Sequence, residues 1–438
     1  MAADLVLRGA RVLDPASGFD RVADIYIARG VILDIARTDE ALPAARVLDV
    51  SGLVLCPGLI DAHVHLRQPG GEQKETIATG TRAALAGGFT AVCSMPNTDP
   101  PIDRADRLRE VADIISRDAV CHVHPLAAAI LDRDPTRLSD FAALREAGAV
   151  AVTDDAMPLQ DEAVMARALM VAGDVGVPFV AHPELDVAGE AGVVADPVLA
   201  AELHVPFVGP EREAEGIAAW HRAACAVAGR TPARLHLAHL SSAQAIAAFR
   251  PFLADAPLAA LTAETCPHYF ALTAAAVREF GADAKMNPPL RGPDDVAAVT
   301  AALVDGALGV IATDHAPHAP AEKAVGLAAA PFGIVGLETA LGVVLEYLVR
   351  PGVLSLMDAL AKMTIGPARA LGLPGGRLLV GEPANLTLID TAATWNVDPD
   401  RFQSRSRNTP FRGMMLHGRA VITVVDGQVV MEDGEILV

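Results

Sequence analysis

Between residues 56 and 372 this chain of 438 residues repeats one pattern eight times: a short apolar run turns polar at its C-terminal end, and a stretch with helical spacing follows. The runs end near His63/His65, Asn97, His122/His124, Asp154/Asp155, His182, His239, His268 and Asp314. Segments such as Glu162–Ala172 and Glu215–Val227 read as the covering helices. Strands alternating with helices predict a parallel sheet wrapped in helices. Eight such units are expected to close into an α/β fold of the (β/α)8 TIM-barrel type, in which functional side chains gather at the C-terminal ends of the strands. Residues 1–55 and 373–438 differ in style. Leu5–Gly9, Asp24–Gly30, Val31–Asp34, Ala384–Asp390 and Ala420–Val430 read as short strands broken at glycines. The two ends are expected to pair into one small β-sandwich domain, with the barrel of 56–372 inserted between them.

Length supports a large barrel with a smaller companion domain. A net charge of −19 weighs against nucleic acid or an anionic membrane as partner. No apolar run approaches a membrane span, and the first residues show no basic-then-apolar leader. The five cysteines, Cys56, Cys93, Cys121, Cys225 and Cys266, are odd in number and form no Cys-x-x-Cys pair. They read as reduced thiols of a cytoplasmic protein.

The stretch from Cys56 to Arg67 carries the first chemistry. Side chains alternate across a strand, so His63 and His65 share a face, and two imidazoles there can grip a divalent metal. Arg67 lies further out on that face and suits an anion. Adding the other strand ends gives His63, His65, Asp155, His182, His239 and Asp314. Four imidazoles and two carboxylates suit two zinc-like ions bridged by an oxygen anion. Alternatives exist at single positions: Asp154 and Asp155 could cap the next helix, and a lone His182 or His239 could be a core residue. His122 and His124 form a second His-x-His but are read as structural, because nothing like Arg67 follows them. His236 and His239, three apart, are expected on opposite sides of their strand, with His239 inward. His204, His221 and His417 read as surface or packing residues, and His268 as structural or supporting.

Pro57-Gly58-Leu59-Ile60-Asp61-Ala62-His63-Val64-His65 resembles the opening of the metal-dependent amidohydrolase superfamily. Leu66-Arg67-Gln68-Pro69-Gly70, Met95-Pro96-Asn97-Thr98, Lys285–Arg291, Ala312–His318 and Ser406–Pro410 resemble the dihydroorotases, and these blocks cover nearly the whole chain. Related hydantoinases, dihydropyrimidinases and allantoinases bridge their metals with a carboxylated lysine at the fourth strand. Here no lysine lies between Lys74 and Lys285. The resemblance to class I dihydroorotases implies Asp155 as the bridge instead. The chain departs from the family pattern at Pro183-Glu184-Leu185 and at Ala156.

The resemblance implies two Zn²⁺ per subunit, one on His63, His65 and Asp314, the other on His182 and His239, bridged by Asp155 and a hydroxide. It implies reversible hydrolysis of dihydroorotate to N-carbamoyl-L-aspartate in pyrimidine biosynthesis, with Asp314 as general base and then acid. Arg67, Asn97 and His318 would hold the substrate carboxylate, Asn287 the ring, and Phe332 and Gly333 the pyrimidine edge through their backbone. Residues 319–336 are expected to form a mobile active-site loop. A homodimer is implied, and aspartate carbamoyltransferase is a possible partner. Two other readings are a different cyclic amidohydrolase, such as a hydantoinase, and a non-catalytic scaffold bound to that transferase.

Overall fold

The computed structural model describes residues 3–36, 44–155, 157–186 and 192–438. The barrel strands are β1 Leu59–Val64, β2 Phe89–Ser94, β3 His122–Pro125 (continued by Ala127–Ala128), β4 Val152–Thr153, β5 Phe179–Ala181, β6 Arg234–Leu237, β7 Ala260–Thr265 and β8 Val310–Ile311. Each pairs in parallel with the next. A parallel bridge between Val64 and His315 closes the ring. The expected eight-stranded barrel is therefore the observed one. Its interior below the mouth is plugged by small and medium side chains, including Ala62, Cys93, Met95, Leu126, Ala151, Val180 and Ala238. The barrel is thus a packed core rather than a pore.

Local chemistry sets the covering helices. Helix Glu162–Val175 begins where Asp161 accepts hydrogen bonds from the amides of Ala163 and Val164 at 2.8 and 3.1 Å. Such a cap contributes about 1 kcal/mol. Its buried residues Met165, Ala168, Leu169 and Ala172 follow the helical period. The helix ends at Gly176, whose φ of 78° is the left-handed conformation that glycine adopts without penalty. Helix Glu211–Val227 presses Trp220 against Phe179 of β5, ring centroids 5.0 Å apart.

Strands from both chain ends, Ala3–Asp14 to Val54–Pro57 and Leu386–Asn396 to Glu435–Ile436, form one nine-stranded sheet. The junction is antiparallel pairing of Val54–Pro57 with Leu386–Asn396. The sheet curls so that Leu7, Val12, Ile25 and Ile27 from one end meet Leu386, Leu388 and Val424 from the other in a single core. Ala420–Val430 divides at Asp426-Gly427, both with positive φ, the hairpin turn that matches strand twist.

Two strand ends differ from expectation. The third run does not end at His122/His124. It starts there, and the chain continues through Ala127–Ala128, so this pair lies at the opposite mouth of the barrel. The seventh strand stops at Thr265, and His268 belongs to the helix Pro267–Ala271. Pro267 has no amide hydrogen to extend the ladder, and its fixed φ suits a first helical position.

Candidate active site

His63 is the last residue but one of β1, and His65 follows the strand directly. Asp155 stands two residues beyond β4, His182 one beyond β5, His239 two beyond β6 and Asp314 three beyond β8. Several of these residues are held where alternation alone would not put them. Arg67, His239 and Asp314 have φ of 60°, 37° and 47°. A side chain in the left-handed region costs about 1–2 kcal/mol, a strain that clusters at functional sites.

His239 illustrates the consequence. His236 faces inward with its neighbours Val180 and Thr262, and strict alternation would turn His239 out. Because β6 stops at Leu237 and His239 adopts positive φ, its ring swings back into the mouth. Both histidines look inward, His236 one layer below, which corrects the expectation that only one could.

The rings and carboxylates converge. His65 Nε2 lies 3.1 Å from Asp314 Oδ1, and His63 Nε2 lies 3.6 Å from both Asp155 Oδ1 and Asp314 Oδ1. The ring of His63 is 5.2 Å from that of His239, which meets His182 edge-on at 4.4 Å. The potential ligand atoms of His63, His65 and Asp314, and of His63, Asp155 and His239, fall within 4.8 Å of one another. His182 joins through His239.

The far sides of the His63 and His65 rings are also held. His63 Nδ1 is 2.8 Å from Glu264 Oε1, and His65 Nδ1 is 2.8 Å from Asn97 Oδ1. A nitrogen that donates there leaves its partner nitrogen as a bare lone pair facing carboxylate. Buried His63 Nε2, Asp155 Oδ2, His182 Nδ1 and His239 Nδ1 have no hydrogen-bond partner among the described residues. Lone pairs and carboxylates turned on one another require positive charge between them, so the donor set fits divalent cations.

Electrostatics agrees. Burial pushes the Asp155 carboxyl up, but His65, His63 and His182 together hold it far below the usual range. Asp314 behaves likewise beside His65, His63 and His239. Burial, with His182 and His63 nearby, brings His239 down to about 3.

The cavity above these groups, ≈ 370 Å³, is lined by His65, Asp155, His182, His239 and Asp314 on its floor. Arg67, Asn97, Asn287, His318, Phe332 and Gly333 form its walls. The structure brings eleven of the twelve candidate site residues to its lining; His63 lies beneath, fully buried. Arg67 donates to Pro317 O at 3.2 Å, and its guanidinium is 3.4 Å from His318 Nε2. Asn287 donates to Glu184 at 2.8 Å, so the buried glutamate of the unusual Pro183-Glu184-Leu185 stretch braces a wall residue. Ala156 lies outside the described residues.

Asp154 and Asp155 divide the work. Asp154 accepts from the amides of His182 and Leu159, both at 2.8 Å, and braces the loops. Asp155 faces the cavity. Neither caps the next helix, since Asp161 does.

Loop 319–336 is tied down by residues the sequence reading left unassigned. Lys323 donates to Ala282 O and Pro331 O, and Lys285 to Leu327 O and Ala328 O, all at 2.9 Å. Asn408 accepts from the amide of His318 at 3.2 Å and donates to Ala316 O and Gly333 O at 3.2 and 3.0 Å. Gly333 has φ of 132°, and a Cβ there would lie 2.6 Å from Ala316 Cβ, so the wall admits only glycine. Glu264 was missed too. Its signal, a carboxylate near the end of a strand, was in the sequence, but its partners His63 and His236 were not assignable.

A family model described as Dihydro-orotase-like matches residues 52–243. A dihydroorotase from Syntrophotalea carbinolica is 46% identical over 97% of this chain and 98% of the relative. One from Pelotomaculum thermopropionicum is 43% identical over 98% and 99%. The chain belongs to the dihydroorotase family. Among solved structures, an L-hydantoinase (dihydropyrimidinase) from Arthrobacter aurescens superposes with TM-score 0.88 at 24% identity, covering 100% of this chain and 98% of its own. A D-hydantoinase from Thermus sp. gives 0.83 at 24%, covering 99% and 96%. At that distance the likeness carries the barrel-plus-sandwich fold of the family's neighbours. No helix among the described residues is long and apolar enough to cross a membrane.

Proposed function

We propose that this protein is a zinc-dependent dihydroorotase of the cytoplasm, interconverting (S)-dihydroorotate and N-carbamoyl-L-aspartate in pyrimidine biosynthesis. The observation that carries the reading is one cavity with an imidazole–carboxylate floor and the cationic Arg67 in its wall, in a chain 46% identical to a dihydroorotase over nearly its full length.

His63, His65 and Asp314 would hold one ion and His182 and His239 the other, with Asp155 between them. Divalent cations so held supply Lewis acidity, which acidifies a water and polarises a carbonyl. Arg67 pairs its planar fork with the substrate carboxylate, with Asn97 and His318 beside it. That contact orients the ring so that its amide carbonyl faces the floor. Asn287 and the backbone of Phe332 and Gly333 hold the pyrimidine edge. Asp314, ionised at neutral pH, accepts a proton from the attacking water. As the ring C–N bond breaks, it returns that proton to the leaving nitrogen, so it ends unprotonated. Glu264 and Asn97 hold His63 and His65 in the tautomer that leaves Nε2 free.

The test is interconversion of dihydroorotate and carbamoyl aspartate by zinc-replete and metal-stripped protein, with hydantoin and dihydrouracil as uncharged controls. Metal-dependent turnover of dihydroorotate alone is expected. Preference for the uncharged rings would replace the reading with a hydantoinase-like one. Sizing alone and with aspartate carbamoyltransferase tests the homodimer and the partner.

A further inference from the structure

On the outer wall of the barrel, remote in sequence from the mouth residues of β1 and β8, His221, Cys225 and Asp255 bring an imidazole, a thiol and a carboxylate within 4.8 Å of one another. His221 and Cys225 stand four residues apart on helix Glu211–Val227 and so share a face. Asp255 is the last residue of the adjoining helix Ala243–Asp255.

The imidazole is held in place. It lies flat on the Phe252 ring, with centroids 4.7 Å apart and planes 16° from parallel. Its Nε2 is 2.8 Å from Asp255 Oδ2. Yet that nitrogen is buried and has no hydrogen-bond partner among the described residues. The carboxylate sits at contact distance but off the N–H direction. At that separation the two groups form an ion-pair contact, and the atoms would move apart by roughly half an ångström to share one ion. Cys225 adds the third atom, and it is exposed, whereas Cys56, Cys93, Cys121 and Cys266 are buried.

We propose that His221, Cys225 and Asp255 form a binding site for a thiophilic divalent cation, distinct from the centre at the barrel mouth. One nitrogen, one sulfur and one oxygen form a borderline-soft set suited to Zn²⁺ or Co²⁺, with water completing a tetrahedron. Mg²⁺ and Ca²⁺, which take oxygen ligands, are disfavoured. Ligands of one such ion lie roughly 3.3–3.6 Å apart given its bond lengths, so a small rotation of Cys225 and Asp255 completes the site. The thiol loses its proton to solvent on binding. The bound ion then links the two helices.

Co²⁺ titration of thiol-reduced protein tests this. Every ligand proposed at the mouth is nitrogen or oxygen, so a thiolate-to-cobalt charge-transfer band in the near ultraviolet reports only a cysteine site. One such site per chain is expected. Cys225→Ser should abolish the band and leave dihydroorotate turnover unchanged. Asp255→Asn and His221→Ala should each weaken Co²⁺ binding, read from the same band, at least about tenfold, a loss that even outer partners of a metal can produce. Absence of the band at saturating Co²⁺, its survival in Cys225→Ser, or undiminished affinity in both other variants would overturn the proposal.

Discussion

The chain carries two His-x-His pairs, and they lie at opposite mouths of the same barrel. His63 and His65 close β1 at its C-terminal end, among Asp155, Asp314 and His239. His122 and His124 open β3 at its N-terminal end. There they border a cavity of ≈ 700 Å³ with Gly58, Ala91, Arg369 and Arg377. His122 meets Asp426 at 3.2 Å, but among the described residues neither histidine belongs to a group of three ligand-type side chains. Burial, with His122 beside it, brings His124 down to about 4. An identical tripeptide pattern thus acquires different chemistry from its position along a strand. In a parallel barrel the loops after the strands vary independently of the packed interior, so ligands from many strands can converge there.

The largest effect that would sharpen this contrast is at Asp314. Asp314→Asn should lower kcat about 10²–10⁴-fold, as expected for loss of a proton-transfer group, with KM less affected. Near-normal turnover in steady-state assays would remove Asp314 from the proton path. Next comes Glu264→Gln, which keeps the shape but weakens the charge-assisted bond to His63. Competition with a chelator should show metal affinity down about 10–100-fold. Arg67→Ala should raise KM about tenfold to a hundredfold, the worth of a hydrogen bond to a charged group, while kcat changes less. An equal fall in kcat with KM unchanged would mean that Arg67 does not hold the substrate carboxylate.

The smallest effects belong to the other mouth. His122→Ala and His124→Ala should leave kcat/KM within about twofold, because surface and packing changes away from a site act on stability instead. For His124 the sign of a pH effect follows from its lowered value. The unfolded chain takes up a proton below about 6.5 and the folded chain only below about 4. Stability is therefore lost as pH falls through that window, by at most about 1.4 kcal/mol per pH unit. His124→Gln should flatten the Tm profile between pH 4 and 6.5 relative to the parent. An unchanged profile would show that His124 is protonated in the folded state.

Much of the site was legible because strand ends announce themselves. Apolar runs finishing in His, Asp or Asn mark His63, His65, Asn97, Asp155, His182, His239 and Asp314 from the sequence alone. The failures came where alternation breaks. Nothing in Leu235–His239 shows that β6 stops at Leu237, nor that His239 takes a positive φ. The third run reads the same whether its histidines begin or end the strand. Glu264, Glu184 and Asn408 escaped because a polar residue in a strand or loop has no meaning until its partner is known.

By itself, the sequence determined the class of architecture and the kinds of ligand available, since period, composition and residue type are local properties of the chain. It also excluded a lysine bridge at the fourth strand, because the residue is not there. Only the tertiary structure decided that the second His-x-His pair lies at the opposite mouth, that His236 sits beneath His239 on Glu264, and how Asn408 clasps the wall that carries His318 and Gly333. Those answers rest on contacts such as His65 with Asp314, 249 positions apart, and closure of the ring of strands is what brings such residues within reach.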